Sequence, residues 1–160
     1  MSKARGPDHP AGAHPRLDAV DARLLAALDA DARQPLSALA RHVGLSAPSV
    51  AERLRRLQEA GVVRGVTAEI DLRALGYPIR ALVRIRPLPG KLHLVERLIA
   101  ETAQIVECDR VTADDPFLAR LAVRSIEELD VVLESLSDHA VTSTAVIKST
   151  SVARRLPPLA

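Results

Sequence analysis

The amino-acid sequence predicts an α+β chain, with a winged helix-turn-helix near its start and a ferredoxin-like βαββαβ unit after it. Three observations lead there. Between residues 17 and 61, apolar side chains recur at helical spacing in three stretches, the last two separated by Gly44-Leu45-Ser46. Two short β-type runs follow, at Val62-Val63 and over residues 66–70, with a turn at Arg64-Gly65. From Ile79 onward, apolar and polar residues alternate, and two helical stretches interrupt them in the order βαββαβ.

Composition bounds what such a chain can do. Its 160 residues, 48% of them hydrophobic, suffice for two small domains. The net charge is only +2, so affinity for a polyanion must come from a local patch. Cys108 is the only cysteine, which excludes a disulfide within the chain. No apolar run reaches the roughly 18 residues that span a bilayer. Residues 1–16 are rich in Pro, Gly, His and Ala and hold no apolar stretch, so a disordered tail is expected, not a secretory signal. A cytoplasmic protein follows. Aromatic residues make up 1% of the chain, with Tyr77 and Phe117 its rings, and this disfavours reading single strands by base stacking.

The first unit is expected over residues 17–71. Asp18 can cap a helix whose apolar face is Val20, Leu24, Leu25 and Leu28. Polar residues 29–35 end it at Pro35. Leu36, Leu39, Ala40 and Val43 line a second, short helix, which Gly44 terminates by adopting a left-handed backbone. Ser46 is the N-cap of a third helix, with Pro48 in its first turn, where a missing N–H costs nothing. Val50, Leu54 and Leu57 form its buried stripe and Gly61 ends it.

Residues 72–78 read as a connector to the second unit, residues 79–152. Its first strand places Ile79, Ala81, Val83 and Ile85 against Arg80, Arg84 and Arg86. A helix carries Leu94, Val95, Leu98 and Ile99; strands follow over residues 105–112 and 117–123. Ile126, Leu129, Leu133 and Leu136 mark a second helix, and residues 141–152 a last strand. In this order both helices cover one face of the sheet. The other face still holds Leu82, Leu118 and Ala122, and a sheet apolar on both sides wants cover on both. A homodimer through this domain is expected. Residues 153–160, with two arginines and two prolines, read as a frayed tail.

The functional signal is densest from Leu39 to Gly61. In helix-turn-helix docking the second helix of the pair enters the major groove with its N-terminal side chains near base edges. With the apolar stripe buried, Ala47, Ser49, Glu52, Arg53 and Arg56 face outward and Arg55 lies beside them. Ser46 and Ser49 can bond phosphate or base edges, and Arg53 and Arg56 can neutralise phosphates or fork onto guanine. Arg41 and the wing residue Arg64 are candidate phosphate clamps. Double-stranded DNA is the expected partner.

The stretches LDAVDARLLAALDADAR, LSALARHVGLS and ERLRRLQEAGVVRGVTAEID resemble the DNA-binding domain of the leucine-responsive/asparagine-regulator (Lrp/AsnC) family. LGYP and VTADDPFLARLAV resemble its effector domain, so the likeness covers about residues 17–152. The resemblance implies a feast-or-famine transcriptional regulator on the nucleoid, dimeric through the second unit and able to form octamers or related rings. It also implies an amino-acid effector bound between dimers, near Thr112, Ala113, Asp114 and Asp115, with Thr142 and Thr144 supplying hydroxyls. Asp114 matches the acidic position, a partner for an α-ammonium group. Ala113 stands where the family has glycine, Asp115 where it has an aromatic residue, and Pro116 where it has a second acid.

Other chemistries find little support. His9, His14, His42, His93 and His139 are scattered and no Cys/His pair has ligand spacing, so no metal site or cofactor is expected. Cys108 alternates with Val106 on one strand and reads as a small buried hydrophobe. No phosphate loop or serine elbow appears, and an enzyme is not expected. The competing reading is an architectural or effector-independent DNA binder, or a small-molecule module with a degenerate ligand site. Sequence preference beyond phosphate charge separates the two.

Overall fold

The computed structural model describes residues 16–159. Apart from Arg16, the disordered segment expected over residues 1–16 lies outside the described residues. Two compact units emerge, one joining Met1–Ala68 to Ala153–Ala160, the other formed by Glu69–Val152. Among the described residues no helix is long and apolar enough to cross a membrane.

The first unit has three helices: α1 (Ala19–Ala30), α2 (Leu36–Val43) and α3 (Ala47–Glu59). Asp18 opens α1 with a capping box, its carboxylate accepting from the Asp21 N–H at 2.8 Å while Asp21 reaches back to the Asp18 N–H. At the far end of α1, the Gln34 amide donates to the carbonyls of Ala27 and Asp31, which closes the polar stretch anticipated there. Gly44, at φ 74°, turns the chain out of α2, and the Leu45 N–H bonds the Ala40 carbonyl at 3.0 Å. Arg23 lays its guanidinium on the Val43 carbonyl at 3.2 Å, placing positive charge at the negative end of α2. Leu24, Leu39, Val43, Val50 and Leu57 form the core, and Leu54 packs half-buried at its edge.

Two expectations for this unit fail. The Val62-Val63 run and residues 66–70 form no hairpin. The N–H groups of Gly61, Val62 and Val63 instead close α3, bonding the carbonyls of Gln58, Leu57 and Leu57 at 2.9, 2.9 and 3.1 Å. Donors spent on a helix end are not free for a ladder. Val66 and Ile70 are left exposed. Residues 153–159 do not fray either: Leu156 and Leu159 pack against the three-helix core.

The second unit is a four-stranded antiparallel sheet of β1 (Ile79–Pro87), β2 (Ile105–Arg110), β3 (Phe117–Val123) and β4 (Ala140–Val146), ordered β2-β3-β1-β4. Helices α4 (Leu92–Glu101) and α5 (Ile126–Ser137) complete the βαββαβ order. Ala81, Val83, Ile85, Phe117, Ala119, Leu121 and Val123 point to one face and pack against Val95, Ile99, Leu129, Val132 and Leu136. β4 stops short of the expected residue 152. Its ladder partner is β1, and the last bond, Ile147 N–H to the Arg80 carbonyl at 2.8 Å, falls where β1 begins.

Candidate nucleic-acid interface

The Ser46 hydroxyl caps α3 by accepting from the Ser49 N–H at 3.3 Å, and the two hydroxyls lie 2.8 Å apart. Both residues are exposed, so the positive end of α3 and two small hydroxyls meet solvent together, a ready position for a phosphate oxygen.

The three arginines of α3 differ in what they do. Arg53, expected to face outward, turns inward. Its guanidinium donates to Asp18 at 2.7 Å and to Asp21 at 2.8 Å, and its side chain is 26% exposed. Arg56 donates to the other Asp21 oxygen at 2.8 Å but keeps 57% of its side chain exposed. Helical geometry explains the split. At about 100° per residue, Arg53 lies about 60° from the Val50 position at the centre of the buried stripe, whereas Arg56 lies about 120° away. Arg53 therefore belongs to the margin of the helix interface and is withdrawn from the outward set; Arg56 stands at the rim.

Asp21 is the residue that sequence reading missed. Its side chain is 1% exposed, and it ties α1 to α3 through two arginines. A buried carboxylate needs such partners, and the pairing carries a signal visible beforehand: an acid one turn into α1, on the face of Leu24 and Leu25. The Asp21 N–H and then the Arg53 guanidinium hold the Asp18 carboxyl below its usual range.

Arg55 lies on the solvent side, forked onto Glu52 at 3.0 and 2.5 Å and also paired with Glu59. These bonds hold the Glu52 carboxyl below and the Arg55 guanidinium above their usual values. Ala47 is half-buried beside the core. Arg41, on the last turn of α2, and Arg64, beyond α3, are exposed and make no ion pair among the described residues.

In the second unit, the turn joining β2 to β3 is closed by the Val111 N–H on the Pro116 carbonyl at 2.8 Å. Thr112, Ala113 and Asp114 project into solvent, while Asp115 is half-buried and 3.6 Å from Arg86. Ala113 has no positive φ, so the glycine it replaces is not needed for backbone reasons in this chain. Register brings the rest of the proposed set near: Ile85 pairs with Phe117 on one side and Thr142 on the other, so the turn and Thr142 share one end of the sheet. Thr144, opposite Val83, is one inward-facing row further along. Among the described residues no group of His, Cys, Asp and Glu could hold a metal ion.

Comparison with known proteins agrees with both units. The AsnC-type helix-turn-helix domain matches residues 17–58, and the Lrp/AsnC ligand binding domain matches residues 80–156. The transcriptional regulator AldR of Mycolicibacterium smegmatis is 37% identical over 82% of this chain and 81% of its own length. LrpA of Mycobacterium tuberculosis is 33% identical over 78% of this chain and 83% of its own. The solved structure of Bacillus subtilis LrpC superposes with a TM-score of 0.81 at 27% identity, covering 87% of this chain and 99% of that one. With a capped helix-turn-helix followed by a four-stranded α+β ligand-binding domain, this chain belongs to the Lrp/AsnC family of helix-turn-helix transcriptional regulators.

Proposed function

We propose that this regulator reads duplex DNA with the N-terminal half of α3, as a homodimer, under control of an amino acid or a related small molecule. Ser46 and Ser49 meet the backbone or base edges, Arg56 works from the rim of the helix, and Arg41 and Arg64 clamp phosphates. Glu52 and Arg55, locked together, shape the outer edge and discriminate by charge. The observation that carries this reading is the outward side of α3, with an exposed serine-capped N-terminus and one half-engaged arginine, flanked by Arg41 and Arg64, exposed and without an ion pair among the described residues.

The dimer is supported by the sheet face turned away from α4 and α5, where Leu82 and Leu118 lie half-buried among Arg80, Arg84 and Arg120, while Ala122 is already covered within the chain. The effector is supported by the ligand-binding domain match and by the register that brings the turn of residues 112–115 and Thr142 to one end of the sheet, with Thr144 two residues further along β4. Because Asp114 is exposed, the site needs a second chain to enclose it; assembly into octamers or related rings would supply one. The protein acts by binding, with no turnover, at the DNA of the cell's interior. The Arg86–Asp115 pair and Pro116 favour one competing reading, an effector-independent regulator in which Asp115 is engaged by the chain's own Arg86.

Selection of bound DNA fragments is expected to return two-fold-related sites with half-sites one helical turn, or a multiple of it, apart. Arg41→Ala and Arg64→Ala should each reduce the slope of log affinity against log salt by about 1 while leaving site preference intact. Equal affinity for all sequences would leave only charge-driven binding. A thermal-shift screen of the twenty amino acids decides the effector, since a ligand of the native state raises its melting temperature.

A further inference from the structure

The side of α3 opposite its buried stripe carries a closed set of charges. At about 100° per residue, Glu52, Arg55 and Glu59 lie about 160°, 140° and 180° from Val50, the centre of that stripe. Their side chains are 64%, 57% and 60% exposed. This is the part of the helix that stands furthest from the three-helix core, and a helix laid in a major groove brings that part nearest the base edges. Arg56 and Ser49, about 120° and 100° from Val50, then face a wall of the groove, where the phosphates run.

Charge and donor count limit what Arg55 can do there. Two carboxylates against one guanidinium leave the set with an excess of negative charge, a poor partner for a phosphate. A guanidinium has five N–H groups. The Nε–H and one N–H of Nη2 go to the two oxygens of Glu52 at 3.0 and 2.5 Å, and one N–H of Nη1 goes to Glu59. One N–H on each terminal nitrogen is left. In the major groove guanine presents two acceptors, N7 and O6, and no other base presents such a pair. A fork already held by two acids also loses less side-chain freedom when it docks. We propose that Arg55 reads a guanine through these two remaining N–H groups, with Glu52 and Glu59 as positioning residues that aim the fork and keep it off the phosphates. This rests on the reading that α3 enters the major groove, and it names the base that α3 selects.

The test uses the full chain and its Arg55→Lys, Arg55→Ala and Glu52→Ala variants. A duplex selected by the parent from a random pool is changed one base pair at a time. Affinity for each duplex, and for an unselected one, is measured at several salt concentrations. In the parent, replacing one particular G·C pair by A·T should cost about tenfold to a hundredfold. Arg55→Lys should lose that preference alone and keep the parent's salt slope, because lysine retains the charge and lacks the fork. Glu52→Ala should bind the unselected duplex several-fold more tightly, since a carboxylate leaves the DNA-facing side, and discriminate several-fold less at the G·C pair. Its melting temperature should stay close to the parent's, because exposed ion pairs add little to stability. Arg55→Lys with the parent's preference at every position would overturn the guanine contact. So would a uniform loss across sequences in Arg55→Ala with a salt slope lower by about 1, the signature of a phosphate clamp. Glu52→Ala matching the parent on both duplexes would overturn the positioning role. A parent that bound all sequences equally would bring down the DNA reading and the guanine contact together, whereas an unchanged preference in Arg55→Lys would leave the DNA reading standing.

Discussion

Asp21 shows how one side chain sets the geometry of a binding helix. Its carboxylate is enclosed by α1 and receives Arg53 on one oxygen and Arg56 on the other. Arg53 thereby becomes part of the scaffold, while Arg56 retains enough exposure to turn toward a phosphate. Asp21→Ala leaves two guanidiniums without their shared acceptor at the margin of the core. It should cost roughly 3 kcal/mol, read as a lowered midpoint in urea unfolding. Arg53→Ala should also destabilise, yet leave the salt dependence of DNA binding unchanged, because Arg53 makes no phosphate contact in this assignment. A reduced salt slope in Arg53→Ala would return that residue to the DNA-facing set.

At the scale of elements, the helix-turn-helix depends on how its helices stop. α2 and α3 both end at glycines with positive φ, Gly44 at 74° and Gly61 at 69°. At Gly44 an added Cβ would meet nothing within 4 Å, so the cost of a side chain there is conformational and not steric crowding. Gly44→Ala is expected to destabilise by about 1 kcal/mol through the left-handed backbone alone. Thermal unfolding would measure that loss, and a destabilisation several times larger would mean that the turn had rearranged. The same accounting of ends explains why the wing does not pair: the Val62 and Val63 donors already serve α3.

For the whole molecule, the proposed dimer is tested at the sheet face turned away from α4 and α5, where Leu82 and Leu118 are half-buried. A two-fold interface brings the same patch of both copies together, so replacing Leu118 removes an apolar contact twice over and puts a carboxylate beside its cross-strand neighbour Arg84. Leu118→Asp should weaken self-association by about a hundredfold or more, roughly 3 kcal/mol, as seen by sedimentation. Its far-ultraviolet dichroism should stay unchanged, since Leu118 lies on the side away from the α4 and α5 core. A variant that remains dimeric would move the interface elsewhere, and the exposed Val66 and Ile70 would be the next surface to examine.

Element order, helix caps and the inward faces of the strands were legible in the sequence because each rests on residues a few positions apart: Asp18 with Asp21, Ser46 with Ser49, and every second residue of β1 and β3. Tertiary structure alone decided three things. Arg53 turned to acids more than thirty residues earlier in the chain, the valines after α3 bonded back to a helix end in place of a strand, and Leu156 found α1 across nearly the full length of the sequence. The physical reason is common to all three. Periodicity says which side of an element avoids water, but a charge or a tail at the margin of that side goes wherever a distant partner happens to complete its bonds or cover its surface.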